Sequence, residues 1–119
     1  MDPRQFSRLA QELAAHFHTE EDVLYTPLRT DRRLHGAILE GLAEHHVVDV
    51  IVREIERSKT GTDEWHAELK VMRENLERHI RDEEEILFPR AEILIGSDRA
   101  IDIAGMYAAT ERELVAAVR

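Results

Sequence analysis

Two stretches of the chain place metal-ligating residue types at helical spacing. The later is His79-Ile80-Arg81-Asp82-Glu83-Glu84-Glu85-Ile86-Leu87-Phe88-Pro89. An earlier near-copy is His16-Phe17-His18-Thr19-Glu20-Glu21-Asp22-Val23-Leu24-Tyr25-Thr26-Pro27. Each reads His, three residues, Glu, two more acids, two aliphatics, an aromatic, then Pro at once or one residue later. His and the first Glu stand four apart, so on a helix both leave from the same face. An imidazole nitrogen beside a carboxylate is half of a transition-metal site, and two halves suggest a whole one. A third pair, His45 and Asp49, repeats the spacing. Cysteine is absent, which excludes disulfides, zinc–thiolate sites and thiol nucleophiles and leaves only nitrogen and oxygen ligands.

These pairs need helices to present them, and the apolar periodicity supplies them. Asp2 before Pro3 reads as an N-cap with Pro at the first helical position. From there Phe6, Leu9, Leu13, His16, Glu20 and Val23 recur at spacings of three and four, the stripe of a bundled helix. This helix is expected to fade near Tyr25, because Pro27 disfavours helical geometry at Thr26. A second helix, capped by Thr30 or Asp31 and running to about Ser58, carries Leu34, Ile38, Leu42, His45, Asp49 and Val52. The third starts near Thr62 or Asp63 and carries Trp65, Leu69, Met72, Leu76, His79, Glu83 and Ile86, until Pro89 kinks or ends it. A turn or two follows over Ala91 to Ile95. Ser97 or Asp98 then caps a last, shorter helix with a weaker stripe of Ile101, Ala104, Ala108, Val115 and Val118.

Short connections make the three long helices antiparallel neighbours. The expected fold is all-α, an up-and-down bundle of three long helices plus a shorter C-terminal one, in a single domain over residues 1–119. His45 and His79 fall about 20 and 24 Å from their shared turn at 1.5 Å per residue, hence at similar height. The first and second helices match less well, by roughly 8 Å, and the Pro27 region must absorb the difference.

Placing His16, Glu20, His45, Asp49, His79 and Glu83 on apolar seams is expensive, since an unpaired buried carboxylate costs several kcal/mol even after relaxation. A bound cation offsets that cost, and carboxylates with imidazoles suit iron, manganese or zinc. Carboxylates facing each other across a bundle can bridge two metal ions. Glu20 and Glu83 are assigned as bridges, with His16, His45 and His79 as terminal ligands. The competing expectation is a set of satisfied polar core residues, or a bundle rotated so that they face water. Glu21, Asp22, Glu84 and Glu85 read as the solvated face and outer shell, with Arg78 and Arg81 as their ion-pair partners. His18, His35, His46 and His66 fall off the seams and read as surface residues, and Trp65 as core.

Other function classes find little in the sequence. The formal net charge of −9 argues against unassisted binding of nucleic acid or anionic membranes. No run of about 18 apolar residues occurs, and the N-terminus lacks the apolar segment of a signal peptide, so a soluble cytoplasmic protein is expected. No Gly-rich phosphate loop follows a strand. Ser7, Ser58 and Ser97 sit at helix ends or on the surface, where no Ser–His–acid arrangement can be argued.

The motifs from His16 to Pro27, Glu44-His45-His46-Val47-Val48, and His79 to Arg90 resemble the hemerythrin-like HHE cation-binding domain family, over nearly the whole chain. The resemblance implies a four-helix bundle holding a non-haem di-iron centre, with His16, Glu20, His45, His79 and Glu83 as ligands. It implies roles in oxygen binding or sensing, iron handling, or responses to nitric oxide and oxidative stress. Two departures stand out. Family members normally begin with a further helix that supplies another His and the fourth wall. Hemerythrins proper also have a second His where this chain has Asp49, which is therefore carried only as an additional candidate ligand.

Three helices without that wall leave an apolar-sided groove. A second copy closing it, as a homodimer, is the preferred expectation. Alternatively the C-terminal helix folds back and offers Tyr107 or Glu111, or Met1 is an internal start of a longer protein. The leading functional expectation is a binding module, in which a di-iron site takes dioxygen or another small diatomic ligand, or buffers iron. An enzyme of the di-iron oxidase or peroxidase kind is the alternative, favoured if Asp49 is a true ligand. A metal-free helical interaction module is the third.

Overall fold

In the computed structural model the chain is described over residues 1–95 and, near the C-terminus, at 109, 110, 112, 113 and 115–117. Its elements are α1 (Pro3–Glu20), a π-helical turn (Glu21–Tyr25), α2 (Thr26–Leu28), α3 (His35–Arg57), α4 (Asp63–Asp82), a second π-helical turn (Glu83–Leu87) and α5 (Phe88–Ile95). No strand occurs among the described residues, and the all-α bundle is the observed fold.

The helix starts follow from local chemistry. The Asp2 carboxylate accepts from the Gln5 backbone N–H at 2.8 Å while the Gln5 side chain accepts from the Asp2 N–H at 2.9 Å, a reciprocal cap ahead of Pro3. Thr62 caps α4, its hydroxyl accepting from the Trp65 N–H at 3.3 Å. The α3–α4 connection turns at Gly61, whose φ of 87° favours glycine. The second long helix begins at His35, later than Thr30 or Asp31. Asp31 instead closes the preceding turn, taking the Arg33 N–H on its side chain and those of Leu34 and His35 on its carbonyl.

Neither proline ends its helix. Proline lacks an N–H, and its ring clashes with the carbonyl four residues back. Both helices respond by widening for one turn before the proline. The Thr26 N–H bonds to the Glu21 carbonyl, and the Phe88 N–H to that of Glu83, each five residues back. Each widened turn also moves the inward face on by a residue. Leu24 and Leu87 are buried, whereas Val23 and Ile86, expected on the stripes, are exposed.

Two further positions on the expected stripes differ. On α1 Phe17 is buried where His16 was expected, and His16 is only half-buried. On α3 the buried seam is Ile38, Gly41, His45, Val48, Val52 and Ile55. The sequence permits two phases through His45, one with Leu42 and Asp49 and one with Gly41 and Val48. Packing selects the second because it buries Val48 and leaves the Asp49 carboxylate hydrated.

The core has two parts. Toward the α3–α4 turn, Phe6, Leu9, Val52, Ile55, Trp65 and Leu69 form the middle of a wholly apolar cluster. Beyond the prolines, Leu24, Tyr25, Leu34, Ile38, Leu87 and Ala91 form another. The His and Glu residues of the motifs lie between them. The groove along α1 and α4 is covered in part by the chain's own C-terminal residues: Val115 joins the first cluster and the Arg112 guanidinium pairs with Glu84. A cleft of about 540 Å³ remains at the end away from the motifs, with Leu9, Glu12, Trp65, Leu69 and Ala117 among its walls. The expected cap at Ser97 or Asp98, the stripe positions Ile101, Ala104, Ala108 and Val118, and the candidates Tyr107 and Glu111 lie outside the described residues.

Candidate metal centre

α1 delivers Glu20, α3 delivers His45, α4 delivers His79, and the second π-helical turn opens with Glu83. All four are buried, with relative exposures of 0, 5, 0 and 2%. Each offers one ligand atom, and these atoms lie within 4.8 Å of one another. His45 Nε2 is 3.0 Å from His79 Nε2 and 3.2 Å from Glu20 Oε1, and His79 Nε2 is 3.7 Å from that same oxygen. Glu83 Oε1 touches His79 Nε2 directly. Ligands held at about 2.0–2.2 Å from a first-row metal stand about 2.8–3.6 Å apart on its shell, so the separations of His45 from His79 and from Glu20 are of the size a shared cation requires. The expected similar height of His45 and His79 is therefore met.

Hydrogen bonding leaves room for that cation. Among the described residues neither Glu20 oxygen has a hydrogen bond of good geometry, although the side chain is fully buried and the His45 and His79 imidazoles approach its Oε1 at 3.2 and 3.7 Å. A carboxylate so placed is strongly unfavourable unless a cation faces it. Burial pushes the Glu20 carboxyl up, but the adjoining His45 and His79 imidazoles outweigh it and hold the group well below the usual carboxylate range. Burial likewise pulls His79 down, and Glu20, Glu44 and Glu83 together outweigh it and raise this imidazole far above its ordinary value. The carboxylates thus hold a proton on His79 in the place where they could hold a metal, and metal binding would release it.

A second layer supports the first. Glu21 Oε1 stands 3.7 Å from His45 Nδ1, and Glu44 Oε1 stands 3.6 Å from His79 Nδ1. Carboxylates behind imidazoles orient the ring and make the other nitrogen a better ligand. The Phe17 ring stacks on His45 at 3.8 Å between centroids and 10° between planes, and meets His79 edge-on at 5.7 Å. Tyr25 donates its hydroxyl to Glu83 Oε1 at 3.1 Å. Burial, then the charges of Glu83 and Glu20, push its phenol above the usual range, so it stays a donor.

The remaining sequence candidates are placed differently. His16 is half-buried at the edge of the cluster, outside the converging four, yet close enough for Glu20 and His79 to act on it. Burial pulls its imidazole down; Glu20 opposes that and His79 adds to it, so the neutral, metal-binding form is favoured. Asp49 is turned away: its carboxylate is 46% exposed and pairs with Arg53 at 2.8 Å. His18, His35, His46 and His66 are exposed and Trp65 is core, as expected. In and beside the acidic run, the Arg78 guanidinium donates to the Asn75 side chain and Glu84 pairs with Arg112.

Phe17, Tyr25, Gly41 and Glu44 received no role from the sequence. Two signals for them were present. Glu44 adjoins His45, and the first motif carries a tyrosine where the second has Phe88, although a buried hydroxyl needs a partner.

No curated protein and no solved structure gives a significant match to this chain. The family model for the hemerythrin HHE cation-binding domain does match, over residues 3–91, a span that takes in all four converging ligand candidates. With three quarters of the sequence aligned and its His and Glu residues gathered at one buried point, the chain belongs to the hemerythrin HHE cation-binding domain family.

Proposed function

We propose that this chain holds a non-haem di-iron centre and uses it to bind or sense dioxygen or a related diatomic molecule, or to handle iron. One observation carries the reading: two imidazoles and two carboxylates, all four buried, converge in the core. Glu20, His45, His79 and Glu83 would hold the metal, and the half-buried His16 at the edge of the cluster would add a further ligand. When bound, iron would supply a redox-active Lewis acid. Glu21 and Glu44 hold the imidazoles in orientation, while the rings of Phe17 and Tyr25 keep bulk water from the donors. Manganese and zinc suit the same ligands.

A metal-ligating Asp49 would have favoured an oxidase or peroxidase. That carboxylate engages Arg53, so binding rather than turnover is the reading put forward. No described helix is long and apolar enough to cross a membrane. A cytoplasmic location and a homodimer formed over the remaining α1–α4 cleft complete the proposal, and a monomer at micromolar concentration by sedimentation overturns the dimer.

The test of function is metal content per chain, with visible absorption, after anaerobic loading with ferrous iron and exposure to oxygen. About two irons per chain, with new visible absorption on oxygenation, is the expected result for the two-metal site of a bundle. Protein that stays helical and retains no metal refutes it.

A further inference from the structure

One side chain outside the ligand set touches two of its members. Tyr25, 1% exposed, donates its hydroxyl to Glu83 and lays its ring against His45, with centroids 5.3 Å and planes 19° apart. With Phe17 stacked at 3.8 Å, the His45 imidazole has an aromatic ring stacked against it from α1 and another from the first π-helical turn. The hydroxyl is seated against Gly41 on α3. A Cβ built there would lie 2.6 Å from Tyr25 Oη and 2.9 Å from Cζ. Glycine weakens a helix interior, and Gly41 lies well inside the 23-residue α3.

We propose that Tyr25 is a positioning residue for the metal centre, aiming Glu83 and His45 at the cation, and that Gly41 is glycine to admit it. This rests on the metal-binding reading above. A ring serving only as core filler has no use for a hydroxyl, and the matching position of the second motif is Phe88. Here the hydroxyl fixes one Glu83 oxygen and leaves the carboxylate a restricted range of directions. Restricting a ligand before the metal arrives raises affinity, and loss of such support typically weakens metal binding about 10–100-fold.

The test compares Co²⁺ binding, by competition with a chelator and by visible spectrum, in wild type, Tyr25→Phe, Gly41→Ala and the double variant, with thermal melts of each metal-free protein. Tyr25→Phe is expected to melt like wild type, bind Co²⁺ about 10–100-fold more weakly and shift the cobalt bands. Gly41→Ala is expected to weaken binding although it removes no ligand. The double variant should lose less than the two single losses combined, because the phenylalanine lacks the oxygen nearest the new methyl. Wild-type Co²⁺ affinity and spectrum in Tyr25→Phe overturn the proposal, whatever its melting temperature. Losses that simply add in the double variant overturn the part played by Gly41. If Gly41→Ala does not fold, Tyr25→Phe decides alone. A wild type that takes up no Co²⁺ brings down the metal reading, and the positioning proposal with it.

Discussion

The two motif copies have nearly the same sequence and do different work. In the second copy both His79 and Glu83 are fully buried at the centre of the cluster. In the first only Glu20 is, and His16 stands at the edge while its neighbour Phe17 goes inward and stacks on His45. The aromatic positions differ in the same sense. Tyr25 is buried and reaches across to Glu83 of the other copy, whereas Phe88 is half-buried. The copies are complementary: one supplies a His–Glu pair, and the other a Glu with the rings that pack on His45 and reach Glu83. A repeated motif therefore does not imply a repeated role, because each copy meets different neighbours.

The largest effect should separate His79 from His16. Replacing His79 by Ala leaves Glu20 and Glu83 without their cationic partner, and we expect about 3–5 kcal/mol of destabilisation in urea melts of the metal-free protein. His16→Ala should cost about 1 kcal/mol or less and lower metal content while leaving the fold intact. Equal losses in the two variants would erase the distinction between the copies. The widened turns come next. Leu24→Ala and Leu87→Ala should each cost about 2–5 kcal/mol, as buried leucines do, and their neighbours Val23→Ala and Ile86→Ala about 0.5 kcal/mol. The reverse ranking would mean that the inward face is not shifted.

Phe17→Leu should cost about 1–2 kcal/mol and loosen His45, seen as a broadened imidazole resonance by NMR. The same change at the half-buried Phe88 should do less. Smallest of all, Asp49→Asn should move neither stability beyond about 0.5 kcal/mol nor metal stoichiometry. A drop in metal content there would return Asp49 to the ligand set.

Much of this was legible in the sequence. Local chemistry set the cap at Asp2–Pro3, the break at Gly61 and the start at Thr62, because each depends on residues within one turn. The long-range heptad of α4 likewise placed Trp65, Leu69, Met72, Leu76, His79 and Glu83 on one buried face. Where the pattern allowed two phases, sequence alone could not choose. His16 and Phe17 are adjacent, as are Val48 and Asp49, and either member of each pair fits a spacing of three or four.

The sequence by itself determined that three helical segments would carry imidazoles and carboxylates, with no thiol, and that His45 and His79 would stand at similar height in a bundle. Periodicity and helical rise are properties of the chain alone. Tertiary structure decided which candidates meet. Packing turned Phe17 inward ahead of His16, hydration drew Asp49 to Arg53, and the widened turns before the prolines carried Tyr25 across to Glu83. Those outcomes depend on the volume and charge that each helix finds opposite it, which no single segment encodes.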